Sequence, residues 1–512
     1  MDFAPVIEGF SVVLEPMNLL FCLIGVLVGM VIGVLPGLGQ AATIAILLPL
    51  TYGMEPVAAI IMLAGIFYGG IYGGTVTAVL LNIPGETSSA ITAIEGYPMG
   101  KKGQAGKALG IGAIASFLGG TISIVALTFV APIVSGWALR FGPPEYAALA
   151  LLGILLVATI SNGARVKAFI AATIGLLLAV IGRDGFTGEM RYTAGSLELA
   201  DGLQFVPIAM GVFGLTEILY ALERRHQPLP PRIKVDKVLP TRADLKQSAA
   251  PMIRGGFIGF FLGLLPGGGA TVSAMVSYGT EKRLAKDPSR FGKGAIEGVA
   301  GPETGNNAAA TSSFIPLLTL GIPANATMAV MFGALMIQGI TPGPQLVSED
   351  PGLFWGVINS MYLGNIILIV LSIPLIGLFV KILDVPPTIL APITLMIVCI
   401  GAYTINNRFF EVLVVVAFGV IGYLMKKMGF DPAPLVLAFV LGSLLEDSFR
   451  RSLMMFQGDV TQVTNHPIAV TILILFALVL LAPLALKLIL RKKSPVVALM
   501  DPSNDHEPAE KR

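Results

Sequence analysis

Residues 18–39 read NLLFCLIGVLVGMVIGVLPGLG, an apolar run that is interrupted at Pro36. A bilayer span needs about 20 mostly apolar residues, and this run is close to that length. Proline removes a backbone donor and the flanking glycines add conformational freedom, so we expect the helix to break here. In hydrocarbon, such a break is tolerated only where it is buried in protein or lines a watery cavity. The stretch therefore predicts a membrane protein with a discontinuous helix.

The same apolar character extends over nearly the whole chain. Of 512 residues, 55% are hydrophobic and 12% are charged, whereas soluble proteins carry about 25% charged residues. The sequence predicts an all-α polytopic membrane protein with about 10–12 spans plus re-entrant or broken helices. The apolar runs lie near 18–35, 56–81, 108–134, 146–160, 166–181, 203–221, 252–265, 353–380, 388–405, 410–425, 433–446 and 468–490.

Several classes of function are disfavoured by composition and motif content. A net charge of +2, with basic residues in short blocks, leaves no basic face for nucleic acid. Cys22 and Cys399 lie in apolar runs, which predicts neither a disulfide framework nor a thiolate metal site. His226, His466 and His506 fall in polar connections, and we expect all three to be solvated. No ATP-binding P-loop, zinc-protease motif or nucleophile elbow is present in the sequence.

Basic residues predict how the chain is inserted. None precedes Lys101, whereas the 223–250 connection and the segment after the last span are rich in Lys and Arg. By the positive-inside rule these basic segments are cytoplasmic and the amino terminus faces outward. Two observations oppose this orientation. Arg408 and the pair 450–451 fall outside, and only two full spans precede Lys101, so the segment near 36–50 must complete a third crossing.

The chain also contains an ordered internal repeat. Gly33-Val-Leu-Pro-Gly-Leu-Gly39 is echoed by Gly263-Leu-Leu-Pro-Gly-Gly-Gly269, and Leu81-Asn-Ile-Pro84 by Leu320-Gly-Ile-Pro323. If the connection is cytoplasmic, the two units enter the membrane in opposite orientations, the inverted-topology architecture of many secondary transporters. The predicted organisation is a first inverted repeat at 1–222, the basic connection at 223–250, a second inverted repeat at 251–490 and a cytoplasmic tail at 491–512.

The two matching breaks predict a binding site near the bilayer midplane. Broken segments at corresponding positions of two inverted units mark the site in this architecture. Hydroxyl and amide side chains cluster around them, and buried polar groups of this kind need a partner. Helix N-termini favour carboxylates, whereas unwound carbonyls and hydroxyls suit Na⁺ or a proton relay.

Alternatives to the binding site remain open at this level. Each single Ser or Thr can simply hydrogen-bond its own helix. Glu86, the acidic residue closest to a predicted break, either ligates a cation or is solvated in a loop. A carboxylate channel and an intramembrane enzyme are the alternative functions, although no catalytic dyad is evident within the spans.

Several motifs, taken together, resemble the large membrane subunit of the tripartite tricarboxylate transporter family, TctA. They are Gly33 to Gly39, Tyr68-Gly-Gly-Ile-Tyr-Gly-Gly74, Asn82-Ile-Pro-Gly-Glu-Thr87, Gly301-Pro-Glu-Thr-Gly-Asn-Asn-Ala308 and Gly321-Ile-Pro-Ala324. The resemblance implies a non-enzymatic permease of the bacterial inner membrane that imports citrate-like di- or tricarboxylates, or aromatic carboxylates. It also implies a small four-span membrane subunit and a periplasmic solute-binding protein as partners, no cofactor, and Na⁺ or H⁺ as the coupling ion.

Site candidates follow from the breaks and the resemblance together. The substrate-binding candidates are Gly37, Gly39, Gln40, Asn82, Gly85, Gly267, Gly268, Gly269, Asn306, Asn307, Ser312, Ala324 and Asn325. The cation-coupling candidates are Thr43, Glu86, Thr87, Ser88, Thr271, Ser273, Thr311 and Thr327. The glycines would let backbone amides approach a carboxylate, and the amide and hydroxyl groups would orient it or ligate Na⁺.

Overall fold

A computed structural model of the chain describes residues 4–35, 39–160, 164–223, 233–235, 237–267, 269–383, 385 and 387–490. The first group of α-helices is α1 (Ala4–Val13), α2 (Pro16–Gly33), α3 (Gln40–Leu47), α4 (Pro56–Leu81), α5 (Ser89–Met99), α6 (Ala105–Ala138), α7 (Pro143–Ile160), α8 (Arg165–Ala179), α9 (Phe205–Ala209) and α10 (Thr216–Glu223). One hairpin, β1 (Gly182–Arg183) and β2 (Met190–Arg191), pairs antiparallel between α8 and α9.

The second group follows the basic connection. It comprises α11 (Arg242–Gly263), α12 (Gly269–Leu284), α13 (Glu297–Ser312), α14 (Phe314–Leu320), α15 (Ala326–Ile337), α16 (Leu346–Glu349), α17 (Pro351–Ser372), α18 (Ile376–Ile382), α19 (Pro387–Asn406), α20 (Phe409–Lys427), α21 (Ala433–Met455) and α22 (Pro467–Leu490). Single π-helical turns join α5 to α6 and α9 to α10.

The architecture confirms the predicted all-α polytopic membrane protein. Within the described residues, eight helices are long and apolar enough to cross a membrane. They are Pro16–Gly33, Pro56–Leu81, Ser89–Ala138, Pro143–Ile160, Phe205–Glu223, Pro351–Ser372, Ile389–Asn406 and Phe409–Lys427. Shorter apolar helices, among them Gln40–Thr51 and Ala326–Ile337, follow the predicted breaks.

Helices α2 and α4 pack through glycines at unusually short range. A Cβ atom on Gly25, Gly29 or Gly33 would collide with a backbone carbonyl of α4. These carbonyls belong, in the same order, to Met62, Ile66 and Gly70. Since residue numbers increase in the same direction along both helices, α2 and α4 run parallel. Small residues at such an interface let helix backbones approach closely, which is how helices associate in membranes.

Helices α11 and α13 repeat this arrangement. Gly255, Gly259 and Gly263 face the carbonyls of residues 301, 305 and 309, again in ascending order. The opposite face of α11 carries a stripe of exposed apolar side chains, Ile253, Phe257 and Phe261. Helix α11 therefore packs its glycine face inward and presents its large apolar side chains outward, where lipid would cover them.

The two glycine-packed pairs run in opposite directions. The rings of Phe67 in α4 and Phe314 in α14 lie 5.8 Å apart, and the Thr75 hydroxyl of α4 lies 2.7 Å from the Glu303 carboxylate of α13. From the first contact to the second, residue numbers rise along α4 and fall along the α13–α14 segment, so these helices are antiparallel. Opposed pairs are the geometry that an inverted repeat requires.

The path between α2 and α4 explains the missing third crossing. Because α2 and α4 are parallel, the intervening segment with α3 must return the chain to the level where α2 began. Helix α5 then runs beside α4 in the same direction, since Ser89 lies near Gly74 and Gly100 lies near Val79. Lys101 therefore lies at the opposite end of α4 from the start of α2, as an outward amino terminus and a cytoplasmic Lys101 require.

Arg450, one of the residues that opposed the orientation, is neutralised by the hairpin. Its guanidinium contacts both carboxylate oxygens of Asp184 at 2.8 and 2.7 Å. The backbone amides of Thr187 and Phe186, together with Arg450, hold the pKa of Asp184 well below its usual range. The positive-inside rule counts Lys and Arg and not net charge, so Arg450 still opposes the predicted insertion.

The expectation that all three histidines are solvated is wrong for His466. Its Nδ1 lies 3.0 Å from Oε1 of the buried Glu145, and 30% of its side chain is exposed. No local sequence signal indicates this pair, because the two residues are separated by 321 positions. His226 and His506 lie outside the described residues.

The glycine packing makes a direct stability prediction. Gly29→Ala places a methyl group against the Ile66 carbonyl, and overpacking of this kind costs about 1–3 kcal/mol. Gly136→Ala on α6 is the matched control, since a Cβ there meets open space. We expect purified Gly29→Ala to melt at a lower temperature than wild type and Gly136→Ala to melt at no lower temperature than wild type. Equal melting temperatures for the two variants would contradict the close packing.

Candidate functional site

A cavity of about 340 Å³ lies where the broken segments meet. Five helices begin at its wall, and each contributes its first residues or the residues just before them. These segments are 39–41 at α3, 86–88 at α5, 269–272 at α12, 325–327 at α15 and 431–433 at α21. The volume lies within the usual range of small-molecule sites, about 300–1,000 Å³.

Local backbone geometry places these helix starts next to one another. The Gly267 amide donates to the Ala324 carbonyl at 2.7 Å, which joins the break before α12 to the break before α15. Gly267 has a φ of +77°, a conformation that residues with a Cβ rarely adopt. A Cβ on Gly85 would meet Gly74 and the Gly33 carbonyl, so only glycine fits where the α4–α5 connection crosses α2.

The helix starts contribute positive dipole ends to the cavity wall. Each N-terminus carries the positive end of a helix dipole and N–H groups that lack a partner within their own helix. Side chains do not cap α3 or α5, whereas Asn325 caps α15 by accepting from the Met328 amide at 3.0 Å. A carboxylate or phosphate is the ligand that such an arrangement favours.

Charged side chains at the described wall of the cavity are acidic. Glu86, Glu217 and Asp431 line it, and no Lys, Arg or His is among its described lining residues. Lys426 approaches from outside the lining and contacts both carboxylate oxygens of Glu217 at 2.7 Å. Backbone amides and hydroxyl groups are therefore the groups at the described wall that an anion could engage.

Glu86 and Thr87 connect the two parts of the chain at the cavity. Glu86 Oε1 accepts from Ser88 at 2.5 Å and from the Asn306 amide at 2.9 Å. The second polar atom of Asn306, Oδ1, is buried with no hydrogen-bond partner in the described structure. The hydroxyls of Thr87 and Thr271 lie 2.9 Å apart, so a direct hydrogen bond links residues before and after the 223–250 connection.

The structure brings about half of the predicted site residues to the cavity wall. Those that line it are Gly39, Gln40, Glu86, Thr87, Ser88, Gly267, Gly269, Thr271, Asn325 and Thr327. Gly37 and Gly268 lie outside the described residues. The remaining candidates are not among the lining residues, and they are Thr43, Asn82, Gly85, Ser273, Asn306, Asn307, Thr311, Ser312 and Ala324.

The candidates away from the wall mostly have structural partners. Thr43, Thr311 and Ser312 donate to carbonyls three or four residues earlier in their own helices. Asn82 ends α4 with a φ of 56°, a left-handed conformation that asparagine tolerates better than most residues. Ser273 donates to the Gly305 carbonyl of the neighbouring helix α13.

Sequence reasoning missed three acidic residues. Glu217 and Asp431 line the cavity, and Glu303 lies fully buried behind it. A signal existed for Glu217, since it is the acidic residue inside the apolar run 203–221, where ionisable groups are costly and often functional. Asp431 stands just before Pro432 at the start of a helix, a position that favours carboxylates as caps.

Fold and site together define a class, a polytopic membrane protein whose broken helices converge on one cavity. Comparison with known proteins narrows this class. The model of the tripartite tricarboxylate transporter TctA family matches residues 19–437, and the chain belongs to that family. This confirms the resemblance seen in the sequence.

Two relatives come from Agrobacterium vitis. An uncharacterized 52.8 kDa protein in the TAR-I ttuC' 3' region is 48% identical over 465 residues, covering 91% of this chain and 93% of its own. An uncharacterized protein in the TAR-II ttuC' 3' region is 52% identical over 215 residues, covering 42% of this chain and 89% of its own. No solved structure matches the chain significantly.

The cavity predicts a pattern of thiol accessibility. In a background without Cys22 and Cys399, we expect Thr271→Cys and Thr327→Cys to react with a small polar thiol reagent, because both line the cavity. Ser312→Cys is the control, since Ser312 is fully buried outside it. Mass spectrometry of the labelled protein measures the difference. Labelling of Ser312→Cys at the rate of the other two would rule out the assigned lining.

Proposed function

We propose that this chain is the membrane permease subunit of a binding-protein-dependent secondary transporter that imports a di- or tricarboxylate. The observation that carries the proposal is the convergence of five helix N-termini on one cavity whose described lining has no basic side chain. Membership of the tricarboxylate transporter family supports a transport role. A substrate with two or three carboxylates could engage several helix ends at once.

The acidic lining supports coupling to a cation. An incoming carboxylate would meet Glu86 and Asp431 at the wall, and like charges at close range repel strongly where water is scarce. A proton or Na⁺ that enters with the substrate removes this repulsion. Binding of substrate and cation thus becomes mutually favourable, which is the thermodynamic requirement for symport.

We further propose that the cycle is one of alternating access between two inverted units, 1–222 and 251–490. The opposed directions of the α2–α4 and α11–α13 pairs support this division. Each pair is internally tight because backbone packs against backbone, so each can move as a rigid body. The cavity lies between lining segments of both units, where such a movement would change its exposure.

Partners and location follow as proposals from the family. The family name implies a three-part system. We propose the bacterial inner membrane as its location, with a small four-span membrane subunit and a periplasmic solute-binding protein as the other parts. The basic connection at 223–250 would then be cytoplasmic, and the β1–β2 hairpin would be periplasmic.

Carboxylate uptake in cells that express all three components tests the transport function. We expect accumulation to persist when ATP is depleted and to collapse when the ion gradient is dissipated. Asn306→Ala removes a hydrogen bond to Glu86, and loss of such a bond to a charged group costs about 1.5–3 kcal/mol, or about tenfold to a hundredfold in uptake.

Asn365→Ala is the control for this variant. Asn365 is also a buried asparagine, but it bonds Phe117 and Thr121, which do not line the cavity, so uptake should stay near wild type. Undiminished uptake in Asn306→Ala would refute the assigned role of Asn306. Equilibration without accumulation in the wild type would favour a channel, and chemical turnover of the carboxylate would favour an enzyme.

A further inference from the structure

Glu303 is a fully buried carboxylate that the proposed substrate cavity does not use. It lies on α13 and is 0% exposed. Among the described residues, no Lys, Arg or His forms an ion pair with it. A buried charge without a counter-charge is costly, and such a group commonly becomes neutral instead.

The surroundings of Glu303 consist of neutral hydrogen-bond donors. Oε1 accepts from Thr75 at 2.7 Å, from Ser116 at 3.1 Å and from Asn307 at 3.3 Å. Oε2 accepts from the Thr92 hydroxyl alone, at 2.9 Å. Asn307 also donates to the Ser116 hydroxyl oxygen, so the single hydroxyl proton of Ser116 is directed at the carboxylate.

The donors come from both sides of the basic connection. Thr75, Thr92 and Ser116 belong to α4, α5 and α6, whereas Glu303 and Asn307 belong to α13. Any relative displacement of 1–222 against 251–490 would therefore withdraw three hydroxyls from the carboxylate at once. The free energy of the ionised form would rise at that moment, because its charge is stabilised here by these hydrogen bonds.

Glu303 is also connected to the cavity through its own helix. The next residues on the same face of α13 are Asn306, which donates to Glu86 at the cavity wall, and Asn307, which donates to Glu303. Neighbouring residues of one helical turn thus contact the wall carboxylate and the buried carboxylate separately. A displacement of this turn would therefore alter the contacts of both carboxylates.

We propose that Glu303 is a proton-binding site that is loaded and unloaded during transport and that couples proton movement to the substrate. The proton adds to Oε2, which accepts a single hydrogen bond, and the Thr92 hydroxyl then reverses its role and accepts from it. The proton comes from water and returns to water on the other side, so no further reactant is needed. A proton fits this site because the carboxylate oxygens already contact their donors directly.

The nearest carboxylates on the elements packed around Glu303 have partners of their own in the described structure, and Tyr72 does not. Glu95 on α5 accepts from Tyr278 of α12 and from the amides of residues 292, 294 and 295. Glu281 on α12 pairs with Arg254 of α11, and Lys107 of α6 pairs with Asp244. Glu86 before α5 accepts from Ser88 and Asn306, whereas the buried Tyr72 hydroxyl on α4 has no hydrogen-bond partner among the described residues.

Infrared spectroscopy tests the proton site without relying on transport. In purified, lipid-reconstituted protein, the carbonyl stretch of a protonated carboxyl group should appear and disappear as pH is varied. We expect Glu303→Gln to lose this band. Glu411, another buried glutamate, lies on α20 and provides the control, so Glu411→Gln should keep the band. Thr92→Val, which retains the carboxyl group, should shift the pH at which it titrates. Identical titrating bands in wild type and Glu303→Gln overturn the proposal.

Transport measurements then test coupling, which rests on the proposed transport function. In vesicles that contain all three components, we expect Glu303→Gln to lose accumulation driven by a pH gradient while it still exchanges internal for external carboxylate. Accumulation equal to wild type, or loss of exchange as well, overturns the coupling role. If wild type itself moves no carboxylate, the proposed function fails, whereas the infrared result on Glu303 still stands.

Discussion

Backbone hydrogen bonding inside a membrane is the constraint on which this structure depends. Helices are the solution over most of the chain, but α2 and α11 stop within the protein, where they need neighbours that shelter their ends. The glycine faces meet this need. Gly25, Gly29 and Gly33 bring α2 against the α4 backbone, so the end of α2 is held in protein and not in lipid. The same packing holds the end of α11 against α13.

Sheltered helix ends produce the cavity as a by-product of the fold. A chain that breaks inside protein must start a new helix there, and the new helix presents an N-terminus. Five such starts face one space, so backbone dipoles contribute positive potential beside its acidic side chains, with no basic side chain in the described lining. The carboxylate preference that we propose depends on where helices begin, which the Gly and Pro positions determine.

Much of this could be predicted from sequence, because the signals are local. Apolar runs indicated the helices, and Pro36 and Gly267 indicated breaks, so residues next to a break, such as Gln40 and Thr271, were placed correctly at the cavity wall. Thr43, one turn farther along α3, and Ser312, at the end of α13, do not line it, since the side of a helix that faces the cavity depends on tertiary packing. Glu303 was missed because its donors Thr75, Thr92 and Ser116 are about two hundred positions away.

The hydrogen bond between Thr87 and Thr271 is one of several polar contacts that join the two parts of the chain near the cavity. A neutral bond of this kind contributes about 0.5–1.5 kcal/mol, or roughly a twofold to twelvefold change in an equilibrium constant. A latch of that strength favours one conformation without locking it. In the proposed cycle, releasing this one bond would therefore consume little of the binding free energy of a substrate that prefers one of the two conformations.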